Sequence, residues 1–147
     1  MFERITIATD GSKASEAAAE VGLDIARLSK GRIVAVYVVD IARLTSLPGY
    51  TSLPGIADRI LEMMLKEGED ATTAVEKMAK AAGVPCSRQV VQGDPSTELI
   101  RISEGSKTDM LVLGSIGRSG LDKLLLGSVA EKVVHHSKIP VLIVPFK

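Results

Sequence analysis

Residues 33–39 read Ile-Val-Ala-Val-Tyr-Val-Val, an almost continuously apolar run rich in β-branched side chains. A strand with one solvated face alternates apolar with polar residues, so an unbroken run suits a strand buried on both faces of a parallel sheet. Working outward, the chain alternates such runs with helical periodicity. Upstream, Ala14, Ala17, Val21, Ile25 and Leu28 recur at spacings of three or four, which predicts a helix with that stripe inward and Gly31 ending it. Ahead of it, Ile5–Thr9 is a first strand bounded by Asp10-Gly11-Ser12, turn chemistry with a ready N-cap.

Downstream, a second helix is expected from about Ala57 to Ala82, with Ile60, Met64, Ala71, Val75 and Met78 on one stripe and Gly83 and Pro85 stopping it. Gly68 inside it costs ~1 kcal/mol relative to alanine and marks a candidate break. Cys86–Gln92 reads as a third strand. Asp94-Pro95 supplies an N-cap and a first-turn proline for a helix to about Glu104. Met110–Leu113 is a fourth strand, Gly127–Ser137 a fourth helix and Ile139–Val144 a fifth strand. Strands separated by helices imply right-handed parallel crossovers with helices on both faces, so the expected fold is α/β, a doubly wound open sheet of five parallel strands in one domain spanning 1–147.

Composition narrows the function. Hydrophobic residues make up 46% of the 147 and charged residues 24%, which excludes intrinsic disorder. The longest apolar runs, Ile33–Val39 and Ile139–Phe146, fall far short of the ~20 residues of a membrane span. Eighteen basic residues balance eighteen acidic ones and aromatics are 3%, so nothing favours nucleic acid or an anionic membrane. One cysteine, Cys86, forms no internal disulfide, and the opening MFERITIATD has no signal-peptide core; a reduced, cytoplasmic protein is expected.

In doubly wound sheets ligands bind beyond the carboxyl ends of the strands, where strand order reverses. That directs attention to the segments after Thr9, Val39, Gln92 and Leu113. The last is the richest: Gly114-Ser-Ile-Gly117-Arg118-Ser-Gly120-Leu-Asp-Lys-Leu-Leu-Leu-Gly127-Ser128 leaves a strand and opens a helix. Glycines let backbone N–H groups approach an anion, and a helix N-terminus favours phosphate; turn and capping roles are the plainer explanation. Neither G-x-x-x-x-G-K-[ST] nor G-x-G-x-x-G is present, so the familiar P-loop and dinucleotide cradles do not apply.

The spacing Gly114-x2-Gly117-x9-Gly127-Ser128, with GRSGLDKLLLGSVAEKVVHHSKIPVLIVP around it and ITIATDGS at the start, resembles the ATP-binding signature of the universal stress protein family along nearly the whole chain. The resemblance implies strand order 3-2-1-4-5, as in adenine nucleotide α-hydrolase-like folds, with the first and fourth strands at the reversal point. It implies a bound ATP, ADP or AMP, with Mg2+ as a further candidate. Gly114 and Gly117 would lie at ribose and phosphate, and Gly127, Ser128 and Val129 at the phosphates. Val38 would meet adenine through its backbone, Ala8 and Thr9 would line the pocket, and Asp10 would sit at the ribose or near a metal. Arg118 and Lys123 are candidate phosphate partners. The resemblance also suggests a homodimer through Ile139–Val144, an apolar run expected at the sheet edge.

The implied role is a nucleotide-dependent switch or sensor in stress response. No catalytic set is evident; slow ATP hydrolysis or self-phosphorylation at Ser119 or Ser128, a nucleotidyl-transfer enzyme on a related sheet, and a nucleotide-free interaction module are the alternatives. Thr45–Gly49 and Thr51–Gly55 repeat Thr-Ser-Leu-Pro-Gly around Tyr50, in a loop whose Leu47, Tyr50 and Leu53 are candidates for contact with a second subunit. His135-His136 are adjacent rather than three or four apart, which suits a helix C-terminus better than a metal. Cys86 reads as a structural thiol, and Met63, Met64 and Met78 as packing residues.

Overall fold

The computed structural model describes residues 1–50, 52–116 and 126–146. Among them the elements run β1 (Arg4–Ala8), α1 (Lys13–Ser29), β2 (Arg32–Asp40), α2 (Ile41–Thr45), α3 (Ile56–Ala81), β3 (Cys86–Gly93), α4 (Pro95–Gly105), β4 (Met110–Gly114), α5 (Ser128–His136) and β5 (Val141–Val144). The strands form one parallel sheet in the order β3-β2-β1-β4-β5.

Side-chain parity divides the core into two layers. Ile5, Ile7, Ile33, Ala35, Met110 and Val112 face α1 and α3. The intervening residues Val36, Leu111 and Leu113 face α4 and α5, meeting Leu99, Ile102, Ala130 and Val133. This two-sided burial accounts for the unbroken apolar run in β2. A third cluster joins Tyr37 and Val39 to Leu44, Met64 and Ala71.

α1 turns only part of its expected stripe inward: Ala14 is buried and Ile25 packs on the core, but Val21 and Leu28 do not. Ala14, Ser15, Ala18, Ala19, Gly22, Leu23 and Ala26 are buried, whereas Val21 is 36% and Leu28 80% exposed. Small side chains let the helix lie close on the sheet: a Cβ on Gly22 would stand 2.9 Å from Ile7 Cδ1. α1 ends on Lys30 in the left-handed conformation (φ 58°), and not on Gly31. Gly31 is glycine for another reason, since its Cβ would stand 2.3 Å from the Glu3 carbonyl oxygen.

α3 runs unbroken through Gly68. There the helix crosses β2 and β3 so closely that a Cβ would lie 2.8 Å from both Tyr37 Cδ1 and Val90 Cγ1. Met64 is buried, Met78 packs on the core, and Met63 is exposed. The segment expected to be a loop after β2 opens as α2, with Asp40 Oδ1 accepting the Arg43 N–H at 3.2 Å as its N-cap. The repeated pentapeptide then builds two turns of one kind. Tyr50 N–H donates to the Leu47 carbonyl across Pro48-Gly49, and Ile56 N–H to that of Leu53 across Pro54-Gly55. Gly49 and Gly55 have φ of 81° and 77°, the type II requirement. Leu47 and Tyr50 are partly buried and pack on the chain's own core, whereas Leu53 is 57% exposed.

Cys86 is partly buried, and desolvation, with Glu76 adding to it, pushes its thiol up to about 11. It is held as the unreactive thiol, in accord with a packing role. His135 and His136 are exposed in the last turn of α5. No helix among the described residues is long and apolar enough to cross a membrane.

Candidate functional site

β1 lies at the centre of the sheet, and where it stops the sheet divides. Its last pair with β2 is Ala8–Val36, and its last pair with β4 is Ile7–Val112. Beyond them, hydrogen-bond parity decides which backbone groups face the gap. Arg32 N–H donates to the Glu3 carbonyl and Thr9 N–H to that of Val36, whereas Ile33 N–H donates to Pro85 at the start of β3. Even-numbered β2 residues therefore turn N–H and C=O toward β1, and Val38, two past Val36, turns its pair toward the place where β1 has ended. On the other side, Leu111 and Ser115 donate to Pro140 and Val144 at β5, so Gly114 turns its backbone toward β1. Val38 and Gly114 thus flank one split.

A cleft of about 440 Å³ opens there. Ala8, Thr9, Asp10 and Val38 line it from β1 and β2, and Gly114, Gly127, Ser128 and Val129 from β4 and α5. Eight of the eleven candidate nucleotide contacts named from the sequence are thereby brought to one cavity. Gly117 and Arg118, with Ser119 and Lys123, lie outside the described residues.

The two ends of the cleft differ chemically. On the β4 side, Gly127 N–H donates to the Ser115 carbonyl at 2.7 Å, fixing where α5 begins, and Glu131 N–H makes the first helical bond back to Gly127 at 2.9 Å. The N–H groups of Ser128, Val129 and Ala130 come before that bond and have no partner within the helix, and a glycine N-cap carries no side chain to accept from them. α1, α2 and α4 are instead capped by Ser12, Asp40 and Asp94. On the β2 side Met64 from α3 and Leu99 from α4 supply apolar lining, with Tyr37 and the Asp40 carboxylate of β2 beside them. Asp10 accepts the Ser12 N–H at 2.9 Å, shaping the β1–α1 turn while lining the cleft. Among the described residues no group of three metal-ligating side chains occurs.

Gly114 has a packing reason for being glycine, because its Cβ would stand 3.3 Å from the Ala14 carbonyl oxygen of α1. Sequence reasoning missed Arg43, Met64, Pro95 and Leu99 as cleft residues. Only Arg43 and Pro95 carried a signal, because they follow strand ends at the reversal side.

Asp94 braces α4 at the cleft rim. The Ser96 and Thr97 hydroxyls and the Thr97 N–H all donate to its Oδ2, and these bonds, with Lys132 nearby, hold its carboxyl below the usual value. A depressed folded-state pKa contributes stability that is present above the unfolded pKa and lost as pH falls through the folded one. Asp94→Ala is therefore expected to lose ~1 kcal/mol at neutral pH. In urea unfolding, the gap to the unsubstituted protein should shrink as pH drops below the ordinary 3.8.

Comparison with known proteins agrees with this architecture. The sequence model of the universal stress protein family matches residues 1–145. A universal stress protein of Methanocaldococcus jannaschii, MJ0531, is 37% identical over 144 residues, covering 98% of this chain and 82% of that protein. Universal stress protein YxiE of Bacillus subtilis is 31% identical over 147 residues, covering 98% and 99%. The solved structure of Methanocaldococcus jannaschii MJ0577 superposes with a TM-score of 0.85 at 26% identity, covering 100% of this chain and 98% of that one. A universal stress protein solved in complex with cAMP superposes at 0.66 with 28% identity, covering 97% and 96%. Matched in sequence from end to end and carrying the 3-2-1-4-5 sheet, the chain belongs to the universal stress protein family.

Proposed function

We propose that this protein binds an adenine nucleotide, ATP or the related ADP or AMP, in the cleft where β1 ends, and serves as a nucleotide-dependent switch or sensor. The observation that carries the reading is the glycine-capped start of α5, whose first-turn N–H groups open on the same cleft that Val38's backbone edge faces. One N–H and one C=O side by side match the acceptor and donor edge of adenine, while the amides and dipole at α5 suit phosphate. The relative solved with cAMP supports an adenine ligand. Ala8 and Thr9 would wall the base. Gly114 and Gly117 would lie along ribose and phosphates, and Gly127, Ser128 and Val129 would hold phosphate oxygens, with Arg118 pairing with them.

Asp10, one of the two carboxylates lining the cleft with Asp40, would hold Mg2+ together with phosphate oxygens and water, a small demand on the protein that suits this ion. A bound ion there would neutralise phosphate charge. The cavity's polar groups are suited to binding and orienting, and slow hydrolysis or transfer to Ser128 is subordinate to that role.

The direct test is chromatography of small molecules released by denaturing freshly purified protein, followed by titration of the emptied protein with ATP and Mg2+. Stoichiometric adenine nucleotide or micromolar affinity is the expected result. Neither would leave the glycine-capped helix start as a structural feature and the chain as an interaction module.

We also propose a cytoplasmic homodimer joined along β5. The strand is the sheet edge, and all four of its residues remain partly exposed. Light scattering at tens of micromolar is expected to give twice the chain mass; a monomer would remove the proposal.

A further inference from the structure

We infer that Arg43 lies over the bound base and stacks its guanidinium plane on the exposed face of the ring, which rests on the nucleotide reading above. Its backbone is held at both ends: Arg43 N–H donates to Asp40 Oδ1 at 3.2 Å, and its carbonyl accepts the Ser46 hydroxyl at 2.9 Å. The next residue, Leu44, is 3% exposed and anchors α2 in the cluster with Tyr37, Val39 and Met64. The Arg43 side chain is the part left over. It lines the cleft, is exposed, and makes no ion pair among the described residues.

Position selects the base over the phosphates. α2 follows directly on β2, so Arg43 rises from the side where Val38 faces the cleft, while the α5 amides belong to the β4 side. Those strands are two apart in the sheet, a separation of about 10 Å at ordinary strand spacing. At the β2 side Met64 and Leu99 give the lining an apolar part beside the Asp40 carboxylate, and a flat, weakly hydrated cation completes that apolar part by covering a π face. A lysine at this position would supply the charge without the plane.

The test compares the unsubstituted protein with Arg43→Ala and Arg43→Lys by calorimetric titration with adenosine, AMP and ATP, alongside unfolding of each nucleotide-free protein. Stacking predicts affinity lower by about tenfold for all three ligands alike, with no recovery in Arg43→Lys and unchanged unfolding. A loss that grows from adenosine to ATP and is restored by lysine would place the guanidinium on phosphate and overturn the inference. Equal affinity in all three proteins would also overturn it. No binding by the unsubstituted protein would overturn the nucleotide reading itself, and the inference with it.

Discussion

Gly127→Val is expected to lower ATP affinity by about 100-fold or more, a loss of ~3 kcal/mol, while the protein remains folded. Gly127 sits at φ −61° and ψ 155°, an extended conformation that valine adopts without strain. The folded state therefore loses little, on the order of 1 kcal/mol for a poorer N-cap, or ~3 °C in unfolding temperature. Binding is different. A phosphate oxygen must come within ~3 Å of the first-turn N–H groups of α5, and two methyl groups on the residue that opens that turn occupy the approach. The measurement is a pair: titration with ATP and Mg2+, and thermal unfolding without nucleotide. Unchanged affinity in a folded variant would remove the phosphates from α5.

Gly31→Ala is expected to cost about 3 kcal/mol of stability, roughly 6–12 °C for a chain of this size. The added Cβ would stand 2.3 Å from the Glu3 carbonyl oxygen and 2.8 Å from its carbonyl carbon and Cα. That stretch of backbone has little room to retreat. The Glu3 carbonyl accepts from Arg32 N–H at 2.7 Å, and Asp109 Oδ2 accepts from Glu3 and Arg4 N–H at 3.0 and 2.9 Å. Relieving the clash means parting β1 from β2 at their first residues. Gly83→Ala is the control: it also follows a helix and has φ 71°, but open space surrounds it, so only the left-handed conformation is penalised, by ~1 kcal/mol. Urea unfolding of both variants separates the two causes. If Gly31→Ala costs no more than Gly83→Ala, the close approach of the two strands is not what demands glycine at 31.

These two glycines mark how far the sequence could be read. Gly127 was legible as the residue that opens α5, because that position depends on neighbours in the chain: a glycine after a strand and directly before a helix start. Gly31 also follows a helix, and local chemistry reads it as the end of that helix. Its real constraint comes from Glu3, a residue far away in sequence that no local pattern connects to it. The inward face of α1 was missed for a related reason. Periodicity weighs residues by hydrophobicity and so favours Val21 and Leu28, whereas close packing on a sheet favours alanine and glycine, whose value lies in what they leave out. Gly68 repeats the lesson: a residue that weakens an isolated helix is what allows α3 to cross Tyr37 and Val90.

By itself the sequence determined the alternation of strands and helices, the parallel direction of the strands and the strand-end segments where the cleft lies, because each follows from local propensity and from the hydrophobic period. Through its resemblance to a family it also pointed to the strand order. Tertiary structure alone decided the rest. The pairing of β1 with both β2 and β4 decided where the sheet splits, and hydrogen-bond parity decided that Val38 and Gly114 turn their backbones into that split. Folding also carried Arg43, Met64 and Leu99 to the same cavity from three different helices. Periodicity reports which face of an element is apolar; which elements then stand opposite one another depends on packing between residues distant in the chain.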